Sequence, residues 1–81
     1  MKESNLMQKL NVLVPHWIAH NDEHIAEMER YLQALEAQGQ SELAGRCRDT
    51  VAQMKGVSDK LALMGKQLKP VRLPGRERSD V

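Results

Sequence analysis

LEAQGQSEL, residues 35–43, is the stretch on which the fold turns. Before Gly39 the chain runs through good helix formers without a breaker back to Pro15. Gly39 suits the left-handed residue that ends a helix. Ser41 follows as an N-cap for a new helix, with Glu42 in its first turn. A link as short as Gly39-Gln40 returns the chain antiparallel to itself. The spacing therefore predicts one helix over residues 15–38, a second over 41–68, and a hairpin between them.

Upstream, Leu6, Leu10 and Leu13 recur at helical spacing, and Ser4 or Asn5 can cap the start. This predicts a short first helix over residues 4–14; a strand over Asn11–Val14 is the competing reading, only four residues long. Pro15 has no N–H and is suited to the first turn of the next helix. Gly45, Gly56 and Gly65 are read as marks of close helix contact. Pro70, Pro74 and Gly75 end regular structure, so residues 1–69 form the expected domain and 70–81 a disordered tail. The fold class is all-α: a short N-terminal helix, then a long antiparallel hairpin, assembling into an oligomeric helical bundle.

Two stripes with alternating steps of three and four suggest how the hairpin closes. The helix before Gly39 offers Trp17, Asn21, His24, Met28, Tyr31, Leu35 and Gln38. The one after offers Leu43, Cys47, Thr50, Met54, Val57, Leu61, Met64 and Leu68. Folding at Gly39 sets Tyr31 near Cys47, His24 near Met54 and Trp17 near Leu61. Asp22, Glu23 and Glu27 then fall beside Lys55 and Lys60, in ion pairs that are individually weak.

The composition of the 81 residues narrows function by exclusion. A chain this size gains only about 3–5 kcal/mol from a single core. Trp17 and Tyr31 are its sole aromatics, and Cys47 is alone, so no internal disulfide forms. Stability is then expected from a metal or from another copy of the chain. Twelve Lys and Arg against eleven Asp and Glu exclude the strong basic excess of a general nucleic-acid binder. Lys66, Lys69, Arg72, Arg76 and Arg78 form a basic end without aromatic interleaving, read as a solvated helix end and tail. No apolar run spans a bilayer and no export signal is visible, which predicts a cytoplasmic protein with no membrane or nucleic-acid partner.

PHWIAHNDEH, residues 15–24, carries the chemistry. His16, His20 and His24 stand four apart, on one stripe of a helix. Such pairs place two imidazoles on one metal, and Glu23 and Glu27 flank them. Imidazole with carboxylate suits Zn, Ni, Co or Fe(II). One helix supplies two or three ligands, so a second copy would complete the shell. The competing reading is packing: Asn21 and His24 set register, with Trp17, Leu10 and Leu13 at an interface. Met28, Met54 and Met64 are core filler, and Cys47 is expected buried and inert. A di-metal bundle enzyme needs carboxylates and His on separate helices. The third helix offers Glu42, Asp49 and Asp59 but no His, so no catalytic residue is expected.

The stretch from Leu10 to Tyr31 resembles a small bacterial and archaeal helical domain of uncharacterised function. The matching residues are Pro15, His16, Trp17, Ile18, His20, Asn21 and His24, with Tyr31 in the aromatic place. The resemblance implies a helical-hairpin domain, alone or appended to larger proteins, and no particular activity. Together these readings point to a non-enzymatic association module whose His stripe binds a divalent transition metal, or to a purely structural interaction domain without one.

Overall fold

The computed structural model describes residues 2–68; the expected tail lies outside them. Two helices account for the described chain: α1, Lys2–Ala37, and α2, Ser41–Gln67, packed against each other as an antiparallel hairpin. The expected break at Pro15 does not occur. In place of two helices, α1 runs through the proline. An internal proline costs about 3 kcal/mol of helix stability. Burial on both sides opposes that cost. Val14 is 1% exposed and Ile18 is half-buried against α2, and a fully buried aliphatic side chain contributes about 1.5–3 kcal/mol. The proline itself is exposed.

The turn is a Schellman motif. Gly39 has φ +75°, its N–H donates to Glu36 O at 3.1 Å, and the Gln40 N–H donates to Leu35 O at 2.9 Å. The expected cap at Ser41 is displaced by one residue. Gln40, fixed by the motif, is the N-cap, and its carbonyl accepts from the Ala44 N–H at 2.8 Å. Ser41 is therefore the first helical residue. Gly39→Ala should lower stability by about 1–2 kcal/mol, the cost of a Cβ in the left-handed region, measured by urea unfolding. An unchanged midpoint would show that the turn relaxes to another conformation.

The seam is offset from the expected stripes. On α1 the seam is made by Asn11, Val14, Ile18, Asn21, Ile25, Met28, Leu32 and Leu35, all buried or half-buried; on α2 by Ala44, Cys47, Val51, Met54, Ser58 and Leu61, with Leu68 just past its end; Leu10, Glu29, Gly45 and Gly56 are half-buried at its edges. Asn21, Met28, Leu35, Cys47, Met54, Leu61 and Leu68 agree with expectation. The alternate positions do not: each is one residue later than expected. Trp17, His24 and Tyr31 give way to Ile18, Ile25 and Leu32, and Leu43, Thr50 and Val57 to Ala44, Val51 and Ser58. Trp17 is 39% exposed and Tyr31 62%. Branched aliphatics interlock at a narrow two-helix seam, whereas an indole or phenol needs a wider groove.

The glycines mark less than expected. A Cβ at Gly45 or Gly56 would meet nothing within 4 Å, and at Gly65 it would touch Val14 Cγ1 at 3.7 Å, an ordinary contact. The buried core is correspondingly small, consisting of Val14, Ile25, Ala44 and Val51 among the described residues.

Candidate functional site

The seam divides the hairpin surface into two unlike flanks. Residues just after Asn21, Met28, Leu35, Cys47 and Met54 make the charged flank. There Glu36 pairs with Arg48, Glu29 with Lys55 at 3.1 Å, and Asp22 accepts from the Ser58 hydroxyl at 2.6 Å. Lys55 thus meets Glu29, not the acidic Asp22, Glu23 and Glu27 expected beside it. The Ser58 oxygen also accepts from Asn21 Nδ2 at 2.8 Å, and the same amide nitrogen donates to Met54 O at 2.8 Å. Asn21 therefore ties the two helices near the middle of the hairpin. Cys47 is half-buried, its thiol 3.7 Å from Met28 O.

Residues just before Ile18, Ile25, Leu32, Ala44, Val51, Ser58 and Gly65 make the opposite flank. On α1 these are Trp17, His24 and Tyr31; on α2 they are Leu43, Thr50, Val57 and Met64. All are exposed. Leu10 continues the line half-buried, and Leu13, 37% exposed, lies one turn further along on the outer side.

The histidines spiral across α1 towards this apolar flank. Four residues turn a helix slightly more than once, so His16 points away from α2, His20 sits between, and His24 reaches the flank. Their separations differ. His16 and His20 have ring centroids 6.1 Å apart; His20 and His24 have theirs 4.6 Å apart in an edge-to-face arrangement. His20 Nε2 and His24 Nε2 are 3.0 Å apart, one donating and the other accepting. Glu27 Oε1 lies 3.8 Å from His24 Nδ1, on the far side of that ring. Glu23 is exposed on the outer face of α1. A groove of about 320 Å³ is lined by His16, Trp17, His20, Asn21 and His24. Among the described residues no three His, Cys, Asp or Glu side chains converge as a metal site within one chain.

Ser58, which no motif marks, and Asp22, expected beside Lys55 and Lys60, complete the Asn21 chain of hydrogen bonds. Leu43, Val57 and Met64, expected in the interior, are exposed. The available signal was a second stripe, Val14-Ile18-Asn21-Ile25-Met28-Leu32-Leu35, with the same alternation of steps.

Comparison with known proteins adds a family but no activity. The model of a family described as a domain of unknown function, DUF8180, matches residues 10–68. No curated protein and no solved structure matches the chain. No helix among the described residues is long and apolar enough to cross a membrane.

Proposed function

Since the chain belongs to the DUF8180 family, a domain of unknown function, we propose its role from the geometry: a non-enzymatic helical association module that pairs with a second copy of itself through the apolar flank. The observation that carries this is the order of residues along that flank. Val14 packs beside Gly65, so Leu10 lies past the end of the α2 line; over the stretch that runs alongside it, reversal of the α1 line exchanges Trp17 with Tyr31 and leaves His24 in place. Reversed likewise, the α2 line exchanges Leu43 with Met64 and Thr50 with Val57. The two centres coincide: Asn21 meets Met54 and Ser58, and Met28 meets Cys47, so His24 lies level with residues 51–54. A pattern that maps onto itself in this way suits an isologous two-fold interface, where residue i meets j and j meets i.

Two further observations favour a copy over an unlike partner. The core of one hairpin is too small to be secure alone, and a copy is present wherever the chain is. The formal net charge of +1 opposes self-pairing little. Across a two-fold axis perpendicular to the helices, Trp17 faces the partner's Tyr31 and Met64 faces the partner's Leu43. The result is a four-helix bundle with apolar residues inside and the Glu29–Lys55 and Glu36–Arg48 pairs on its outer edges. Asn21, bonded across the seam of each hairpin, holds the register that brings the two lines level.

Light scattering on the purified chain in EDTA should give twice the mass of the chain. A single-chain mass at about 100 μM, well above the dissociation constant of a stable dimer, would overturn the reading.

A further inference from the structure

We infer that the His20–His24 pair is half of a transition-metal site, completed by the same pair from the second copy. The inference rests on the pairing proposed above. Two imidazole nitrogens bound to one ion at about 2.0–2.1 Å lie roughly 2.9 Å apart at a right angle and roughly 3.4 Å apart at the tetrahedral angle. His20 Nε2 and His24 Nε2, at 3.0 Å, already hold a separation in that range. Only the shared proton stands between them. With both rings in the Nδ1–H tautomer, both Nε2 lone pairs are free for one cation. The carboxylate of Glu27, 3.8 Å from His24 Nδ1, is placed to favour that tautomer after a small rotation, as carboxylates behind metal-bound histidines do.

The position along the flank supplies the rest. His24 is the residue that reversal leaves in place, so a perpendicular two-fold axis passes beside it and sets the His24 rings of the two copies opposite each other. Each copy brings two nitrogens, and four imidazoles make a closed shell for a borderline divalent cation such as Zn(II) or Co(II). His16, turned away from α2 and 6.1 Å from His20 between ring centroids, takes no part. This explains how a chain whose described residues hold no three-ligand cluster carries a metal site: the site exists only between copies. A metal there would fasten the pairing at its centre, making association responsive to the cation.

The test is titration of untagged, EDTA-treated and dialysed protein with Co(II), then Zn(II), followed by calorimetry and visible absorption. One ion per two chains is expected, with the intense absorption of tetrahedral Co(II), bleached when Zn(II) displaces it. His20→Ala and His24→Ala should each abolish that signal, and His16→Ala should retain it. All three positions are exposed, so the variants should keep the helical circular dichroism of the parent. Absence of binding, one ion per chain, or retention in both the His20 and His24 variants would overturn the shared site. Mass in EDTA separates the two readings. A dimer that takes up no metal overturns the site and leaves the pairing; a chain monomeric in both EDTA and Zn(II) overturns both.

Discussion

On the pairing proposed above, Val57→Asp is expected to turn a dimer into a monomer. Val57 is exposed and outside the buried core of the single hairpin, so the helices should form as before. In the bundle it would lie against the partner's Thr50, inside. A carboxylate taken out of water without a partner costs several kcal/mol. An isologous interface contains each substitution twice, once from each copy. An increase of at least about 100-fold in the dissociation constant follows from about 3 kcal/mol or more. Light scattering at about 20 μM should then report half the parent mass, and the melting temperature should lose its dependence on protein concentration. Lys55→Ala, on the charged flank, is the control: it breaks one exposed ion pair with Glu29, worth at most about 1 kcal/mol, and should leave the mass unchanged. A Val57→Asp protein that keeps the parent mass would remove the apolar flank from consideration as the interface.

Replacing Asn21 should have the second large effect, and the replacement chosen decides its sign. Asn21→Ala leaves the Ser58 hydroxyl and Met54 carbonyl without their cross-helix donor. Leaving partly buried polar groups unsatisfied costs about 1–3 kcal/mol, on a hairpin whose buried side chains are Val14, Ile25, Ala44 and Val51. The urea midpoint should fall sharply. Asn21→Leu fills the same seam position with an aliphatic group between Ile18 and Ile25. It should recover most of the stability, but without the hydrogen bonds that pin one register. Sedimentation velocity should then show a mixture of oligomers instead of a single species, as when a polar seam residue that specifies oligomer state is lost. A single dimer in the Leu variant would mean that aliphatic packing alone sets the register.

The helical hairpin was legible because its signals are local. Gly39, the uninterrupted helix formers on either side and the two-residue link act within a few residues of each other. Pro15 was misread for the opposite reason. Its local preference is to begin a helix, and what carries α1 through it is burial against α2, where Val14 packs beside Gly65, about fifty residues away in the chain. The seam shows the same division. Its register along the chain was off by about one turn: Met54 meets Asn21 in place of the expected His24, and Cys47 meets Met28 in place of Tyr31. Its rotation was wrong by one position at every other step. Two stripes of equal periodicity overlap in α1, one with Trp17, His24 and Tyr31 and the other with Ile18, Ile25 and Leu32. Periodicity cannot choose between stripes that differ by a turn of about 100°. The aromatics drew the reading to themselves because large side chains are usually interior.

That choice changes what the histidines touch. Placed in the seam, His24 would be a buried register residue bonded across to α2. Placed on the flank, it meets His20 instead, and Asn21 alone makes the bonds across to Met54 and Ser58. The spacing of His16, His20 and His24 defined a stripe but not its members' partners, because ring-to-ring distance depends on rotamers as well as on helical phase.

By itself, then, the amino-acid sequence determined a helical hairpin, the place where it turns, the antiparallel return and the residues available as ligands. Those follow from backbone preferences and short-range geometry. Only the tertiary structure decided which side of each helix is interior, that Pro15 is carried inside α1, and that the aromatics and a pair of touching histidines share one exposed flank. The physical reason is that burial is a property of two surfaces meeting. The packing of branched aliphatic residues across a narrow seam outweighs the pull of a lone Trp and a lone Tyr, and leaves them facing outward.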